Sequence, residues 1–164
     1  MKKLFSVLLM MSVLLAMVFC MSACGGEEET PSAPAGSNPF PEALTNVEAM
    51  AVSNLNLDYT GWTLSGGMID GVEMEEADVQ SVLDACGGQM LFVFQESGAV
   101  QLVNGAAAMD GTYTVTGDGF IVDMTFENYS YWGAFTMVQE QPVLIVVGKK
   151  APGQALYMAY VDEK

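Results

Sequence analysis

The stretch LFVFQESGAVQL, residues 91–102, decides the fold of this chain. Two short segments rich in aromatic and β-branched residues, Leu91–Phe94 and Ala99–Leu102, flank the polar sequence Glu96-Ser97-Gly98. Short apolar segments separated by a glycine-containing turn are typical of a β-hairpin. The stretch therefore predicts two antiparallel strands joined by a tight turn.

A second hairpin is predicted further along the chain. Thr112–Thr116 alternates threonine with tyrosine and valine, and Gly117-Asp118-Gly119 supplies a turn. The returning segment has apolar residues at every second position: Phe120, Val122, Met124 and Phe126. Because side chains alternate between the two faces of a strand, we expect these four on one face.

Four further segments bring the number of predicted strands to eight: Trp62–Leu64, Tyr131–Val138, Val143–Val147 and Ala155–Val161. Glu140-Gln141-Pro142 and Lys149–Gly153 are the predicted links between the last three. Antiparallel strands with short connections favour closure into a small up-and-down barrel, since closure removes exposed sheet edges. The predicted class is all-β, and a two-sheet β-sandwich is the alternative.

One helix is expected between Trp62–Leu64 and Leu91–Phe94, which are the first and second predicted strands in chain order. Apolar residues follow the helical spacing i, i+3, i+4 and i+7 at Val79, Val82, Leu83 and Cys86. Gly87-Gly88 follows where a helix C-cap is expected, so residues 75–86 are the predicted helix. Cys86 on its apolar stripe is expected to be a buried, inert thiol. A weaker pattern predicts another short helix over Ala43–Leu55.

The composition excludes several classes of function. The chain has 20 acids and five lysines, neither arginine nor histidine, and a formal net charge of −15. Without histidine there is no Ser-His or Cys-His relay and no imidazole metal ligand. Nucleic acid is excluded as a partner because its backbone is bound through clustered lysine and arginine. We expect neither catalysis nor a cofactor, since no spacing of the acids selects a catalytic pair.

The first 24 residues have the pattern of an export signal. Met1-Lys2-Lys3 precedes the apolar run Leu4–Phe19, and Met21-Ser22-Ala23-Cys24 ends in small residues before a cysteine. The apolar run is shorter than the roughly 20 residues of a membrane-spanning helix. The segment resembles a bacterial lipoprotein signal, in which the cysteine after the small residues becomes lipid-modified. The resemblance implies lipidation of Cys24 and a location on the extracytoplasmic face of a cell membrane; Cys20 competes less well because the bulky Phe19 precedes it.

Three segments are therefore expected: a signal peptide (residues 1–23), a lipidated Cys24 with a flexible tether (24–44) and a barrel domain (45–164). The tether contains three consecutive glutamates and four prolines and has too few apolar residues to form a core. Removal of the signal takes away two of the five lysines and none of the 20 acids, which changes the net charge from −15 to −17. Cys86 is then the one cysteine left in the barrel, so no internal disulfide is expected.

The order of short motifs along the barrel carries a resemblance to a family. Gly61-Trp62-Thr63-Leu64 precedes the acidic segment and the helix, and Leu91–Gly98, Gly111–Val115 and Gly119–Val122 follow. This order resembles the small lipocalin-like domains of bacterial lipoproteins over residues 58–161. It departs from lipocalins because Gly61 and Trp62 are adjacent and because no arginine is present to pack across the tryptophan. The resemblance implies the barrel topology and an apolar cavity, and it implies no particular ligand.

Six aromatic residues are the candidate lining of that cavity: Trp62, Phe92, Phe94, Tyr113, Phe126 and Phe135. Eight strands enclose a space just wide enough for side chains, so the same residues are equally suited to a packed core. The methionines favour a ligand because thioethers adapt to irregular apolar shapes, but they are also common core residues. The sequence leaves the two alternatives open.

Five carboxylates lie between Asp70 and Asp78, at the start of the predicted helix. The regular oxygen-ligand spacing of a calcium loop is absent, so no metal site is predicted. Carboxylates at a helix N-terminus oppose the positive end of its dipole. We therefore expect these acids to stabilise the helix.

Two functions from different classes fit the sequence. The first is a lipid-anchored module that binds a small neutral or cationic apolar molecule inside the barrel. The second is a structural or protein-interaction module of the cell envelope, with a filled barrel and an outer surface for an unidentified protein partner. Exposed clustering of Tyr129, Tyr131 and Trp132 would favour the second.

Overall fold

The computed structural model describes residues 48–161. The predicted signal peptide (1–23) and the predicted tether with Cys24 (24–44) lie wholly outside these residues, as do residues 45–47 and 162–164 of the predicted barrel domain. The strands are β1 (Thr60–Ile69), β2 (Val72–Glu73), β3 (Met90–Phe94), β4 (Ala99–Asn104), β5 (Ala107–Thr116), β6 (Ile121–Phe126), β7 (Ser130–Val138), β8 (Gln141–Gly148) and β9 (Ala151–Val161). The helix α1 (Glu76–Ala85) lies between β2 and β3, and 3-10 turns cover Val52–Asn54, Glu96–Gly98 and Gly117–Gly119.

The strands form a closed antiparallel barrel. Each strand from β3 to β8 pairs with the strand that follows it in the chain. β1 pairs with both β3 and β9, which closes the sheet. The two-residue β2 pairs antiparallel with only the last two residues of β1, so the barrel itself has eight strands. The closing β1–β9 contact excludes the alternative of two separate sheets, and the predicted barrel is confirmed.

The two ends of the barrel are built differently. Residues 48–59 lead into β1 at one end, together with the turns at 95–98, 117–120 and 139–140; we call it the entry end. Helix α1 and the turns at 105–106 and 149–150 lie at the opposite end, the helix end. Gln139 and Glu140 both have positive φ, 50° and 65°, which matches the twist of a two-residue hairpin.

Helix α1 packs its apolar stripe against the barrel core. Val79, Val82, Leu83 and Cys86 are half-buried there. The Asp78 carboxylate accepts a hydrogen bond from the Glu75 backbone N–H at 3.1 Å, which satisfies one of the unpaired donors at the helix start. This capping confirms the expected stabilising role of these acids in part, since Asp78 caps the helix directly.

Alternate residues of the strands form the main core inside the barrel. On β8, Leu144 and Val146 belong to this interior cluster, whereas Ile145 and Val147 belong to a smaller cluster on the outer face with Ala155. The strict alternation is what the period of a strand requires. It also identifies which residues face the interior at each end of the barrel.

Two local predictions were wrong. Residues 48–55 of the predicted helix Ala43–Leu55 are not α-helical: Met50 forms a β-bridge with Phe135 beside β7, and only the 3-10 turn follows it. The predicted links after Val138 and Val147 are shorter than expected, because β8 and β9 extend through Pro142 and Pro152. The two-residue β2 was not predicted.

Candidate functional site

The six predicted cavity residues all come together in the barrel interior. Phe92, Phe94 and Phe135 are 0% exposed, and Trp62 is 1% exposed. Phe126 is also buried, and Tyr113 is half-buried beside them. The sequence therefore identified interior residues, and their mutual distances show how the space between them is used.

The rings contact one another directly, in two groups. At the entry end Trp62 packs against Phe135 with ring centroids 4.9 Å apart, and Phe94 packs against Tyr113 at 5.1 Å. Phe94 and Phe135 join these pairs at 6.2 Å. These spacings are those of aromatic side chains in direct contact.

The second aromatic group lies toward the helix end. Phe92 is 6.1 Å from Phe126, and Tyr131 packs edge-on against Phe92 at 5.5 Å. The rings again meet at contact distance. In both halves of the barrel, the side chains that were candidates for lining a cavity fill the space themselves.

Inward-facing glycines allow this filling. A Cβ added at Gly111 would lie 2.5 Å from the Phe126 ring, and one added at Gly133 would lie 3.0 Å from Leu144 and 3.1 Å from Met124. Each of these strands thus has no side chain at a point where a neighbouring large side chain occupies the interior. The interior is packed as a protein core is.

The buried indole of Trp62 has its polar group satisfied. Its Nε1 donates to the Thr60 hydroxyl at 3.0 Å, and that hydroxyl donates to the Leu57 carbonyl at 2.7 Å. The Tyr160 ring packs edge-on against the indole at 5.4 Å. Trp62 therefore anchors the segment that precedes β1 at the entry end.

A pocket of about 200 Å³ lies beside this tryptophan, at the entry end. Its lining is mainly apolar: Leu55, Asn56, Leu57, Thr60, Trp62, Pro142 and Tyr160. Drug-sized ligands occupy pockets of about 300–1,000 Å³. The pocket is therefore small, with room for one side chain or a small apolar group.

Exposed apolar side chains surround the same end of the barrel. They are Tyr59, Val115, Phe120, Met137, Val138 and Tyr160. We call these six residues the entry rim. Phe120 was predicted to share the core face with Val122, yet it is 40% exposed because it precedes β6, beyond the last pair of the ladder with β5.

Carboxylates lie among the entry-rim residues. Asp58, Glu96, Asp118 and Glu140 are exposed in the segments that connect the strands there. The lysines within residues 48–161 are Lys149 and Lys150, which lie in the β8–β9 turn at the helix end. The described part of the entry end thus combines apolar surface with negative charge alone.

The carboxylates at the entry end contribute to raised pKa values of two tyrosines. The Glu96 carboxylate near the Tyr59 hydroxyl, followed by desolvation and the charge of Asp58, raises the pKa of Tyr59 above 10.0. Burial and, second, the charge of Asp58 raise the pKa of Tyr113 above 10.0. A nearby carboxylate disfavours the charged phenolate in both cases.

The cluster of Tyr129, Tyr131 and Trp132, whose exposure would favour the interaction module, is half-buried in the structure. Tyr129 and Tyr131 are half-buried against the core, and their rings stack 6.5 Å apart. Trp132 is half-buried on the outer face, where the Lys149 ammonium lies 5.4 Å from its ring centre. Lys149 also donates at 2.7 Å to both carboxylate oxygens of Asp123. These contacts join β6, β7 and the β8–β9 turn and serve the stability of the barrel.

Sequence reasoning missed the entry rim. Val115 and Met137 continue the inward-facing rows of Tyr113 and Phe135, so alternation alone assigns them to the core. Their position at the strand ends, next to turn residues, was the signal that could have identified them. Within residues 48–161 no group of three or more acidic or cysteine side chains has the arrangement of a metal site.

Comparisons of the chain with protein-family models, with curated proteins and with solved structures give no match. The one α-helix in residues 48–161 is too short to cross a membrane. The fold and the site define a closed, eight-stranded antiparallel barrel with a packed aromatic interior and an apolar, acidic entry end.

Proposed function

We propose that this protein is a lipid-anchored, extracytoplasmic protein-interaction module whose barrel is filled by its own side chains. The observation that carries the proposal is the direct contact between the interior rings, at 4.9 Å for Trp62 and Phe135 and 5.1 Å for Phe94 and Tyr113. In a barrel packed in this way, the interior is occupied by side chains, so binding takes place at the surface. Such a protein acts by contact with a partner and carries out no catalysis.

Anchoring and location rest on the sequence. The lipoprotein-like signal that ends at Cys24 supports lipidation, and the 23 residues between Cys24 and Glu48 supply a tether. The resemblance to lipocalin-like domains of bacterial lipoproteins supports the same placement. The high negative charge is typical of an exported, soluble domain that resists self-association.

The second candidate function is binding of a small neutral or cationic apolar molecule. The pocket beside Trp62 favours it, since apolar side chains line the pocket and carboxylates lie nearby. Its volume of about 200 Å³ limits such a molecule to about the size of one amino-acid side chain unless the interior rings move apart. The filled interior therefore favours the interaction module over this alternative.

Native mass spectrometry of residues 25–164 tests the filled barrel, since the closed sheet lies wholly within that fragment. The fragment is exported into a bacterial envelope and purified without detergent. We expect the bare polypeptide mass, unchanged after exposure to a panel of lipids and cationic amphiphiles. A discrete added mass that is lost on denaturation would overturn the filled barrel and support the second candidate.

Metabolic labelling with a radioactive fatty acid tests the anchor in the full chain. We expect the label on the wild-type protein and on Cys20→Ser, and its absence from Cys24→Ser. Cys20→Ser is the matched control because it removes a cysteine from the same segment. Label that persists in Cys24→Ser and disappears in Cys20→Ser would contradict the proposed anchor.

A further inference from the structure

We infer that the entry end docks a basic polypeptide segment, which inserts one apolar side chain into the pocket beside Trp62 and places lysine or arginine against the surrounding carboxylates. This inference rests on the proposed interaction function and names the surface and the chemistry of the partner. Three observations carry it: the orientation of the entry rim, the size of the pocket, and the distribution of charge.

Three entry-rim residues mark the end of the barrel interior that is left uncovered. Val115, Met137 and Tyr160 each lie two residues beyond a core residue on the same strand face. They therefore face the barrel axis, yet they are exposed because the strands end there. At the opposite end, helix α1 covers the corresponding positions with its half-buried apolar stripe.

The segment at 48–57 covers only part of the entry end. Val52 and Leu57 are buried against the core, and the backbone N–H of Met50 donates to the Phe135 carbonyl at 2.7 Å. The pocket lies between this segment, Pro142 and Tyr160. A pocket of about 200 Å³ beside exposed apolar surface suits a single protruding side chain with flanking contacts.

Charge selects the kind of partner. Asp58, Glu96, Asp118 and Glu140 lie at this end without a lysine among the described residues. A second copy of the chain carries the same negative charge and is repelled. Residues 25–47 of the chain itself contain four glutamates and no basic residue, so they are not complementary either. Anionic lipid headgroups are disfavoured for the same reason, whereas a basic polypeptide has the complementary charge and can contact the exposed apolar rim as well as the pocket.

Synthetic peptides of defined chemistry test the inference on residues 25–164. The probe is a 12-residue peptide of alternating lysine and leucine with one central phenylalanine; one control replaces lysine with glutamate, and another replaces leucine and phenylalanine with glycine. Binding is measured by calorimetry at low and at physiological salt. We expect binding of the first peptide alone, weakened by salt because exposed charges are screened.

Two sets of variants with the same total charge locate the site. The entry-end variant is Asp58→Asn, Glu96→Gln, Asp118→Asn and Glu140→Gln; the helix-end variant is Glu73→Gln, Glu76→Gln, Asp84→Asn and Glu127→Gln. All eight acids are exposed, so both variants are expected to fold, which circular dichroism checks. We expect about tenfold weaker binding for the entry-end variant, because four modest ion pairs are lost, and less than about twofold change for the helix-end variant.

The apolar part is tested by Phe120→Ser with Val138→Ser, and its control is Ile69→Ser with Val72→Ser at the helix end. These four side chains are all exposed, so neither pair removes a core residue. We expect weaker binding only for the first pair.

Three outcomes would overturn the inference: no binding of any peptide, equal loss in the two charge variants, and binding of phosphatidylglycerol vesicles that is lost in Phe120→Ser with Val138→Ser. A bare native mass together with absent peptide binding would agree with the filled barrel and would contradict only the proposal of a basic partner. An added native mass would instead remove the filled barrel.

Discussion

Replacing Phe135 with alanine should lower the free energy of unfolding by about 3–5 kcal/mol, the range for large-to-small changes of a buried phenylalanine. The side chain is 0% exposed and lies between Trp62 at 4.9 Å and Phe94 at 6.2 Å. Loss of buried apolar surface accounts for about 1.5–3 kcal/mol of this. The remainder comes from the cavity left behind, because the neighbouring rings belong to β1 and β3 and a closed barrel prevents those strands from moving together.

Urea unfolding followed by tryptophan fluorescence measures this loss, with the slope m compared between variants to establish that the unfolded states are similar. The matched control is Phe120→Ala, the same substitution at a residue that is 40% exposed, for which we expect a loss below about 1 kcal/mol. Losses of equal size in the two variants would refute the packed interior.

The same variant distinguishes a filled barrel from an existing cavity. Benzene should stabilise Phe135→Ala more than the wild-type protein, because the variant has the space left by the ring in addition to the open pocket beside Trp62. The measurement is the midpoint of thermal unfolding with and without benzene. Equal stabilisation of the two proteins would contradict the reasoning, because removal of the Phe135 ring would then have created no additional enclosed space.

Three further changes probe other parts of the barrel. Lys149→Met removes the 2.7 Å hydrogen bonds to both carboxylate oxygens of Asp123 and should cost about 1–2 kcal/mol in urea unfolding, with a loss less than additive when combined with Asp123→Asn. Gly111→Ala places a Cβ 2.5 Å from a backbone oxygen of β6 and should cost about 1–3 kcal/mol, whereas Gly148→Ala, with its nearest atom at 3.9 Å, should be nearly neutral. Burial and a nearby carboxylate raise the pKa of Tyr113 above 10.0, so Tyr113 ionises in the unfolded chain before it ionises in the folded one. The resulting stabilisation is present below pH 10 and is lost as the pH rises further. Tyr113→Phe should reduce this alkaline loss of stability, measured as the free energy of unfolding against pH.

The strands and the helix could be predicted because each has a local signal. The stretch 91–102 carries two apolar runs around a glycine turn, and the structure has β3, β4 and a turn with Gly98 at φ 79° there. The spacing of apolar residues placed the helix at 75–86, against an observed Glu76–Ala85. The closing contact between β1 and β9 has no local signal, because it joins residues such as Trp62 and Tyr160 that are far apart in the chain.

The candidate site was predicted only in part, for a physical reason. Alternation identifies which side chains face the interior, and it identified all six aromatic residues correctly as interior positions. It does not show where along a strand the interior ends. Val115 and Met137 have the same pattern as buried residues, and they are exposed only because no element covers them. The bridge of Met50 to Phe135 likewise has no local signal. It forms because β6 pairs with β7 only as far as Ala134, which leaves the edge of β7 free at Phe135.

The charge of the chain opposes association between copies through the exposed apolar rim. An apolar patch of this kind normally promotes association between copies. Here every copy carries the same excess of carboxylates, and those at Asp58, Glu96, Asp118 and Glu140 lie beside the patch itself. Two entry ends therefore repel each other at the distance where their apolar residues would begin to pack. In the docking that we propose, a partner with lysine or arginine around an apolar side chain meets attraction in place of repulsion, so the acids that oppose self-association are also the groups that select the partner.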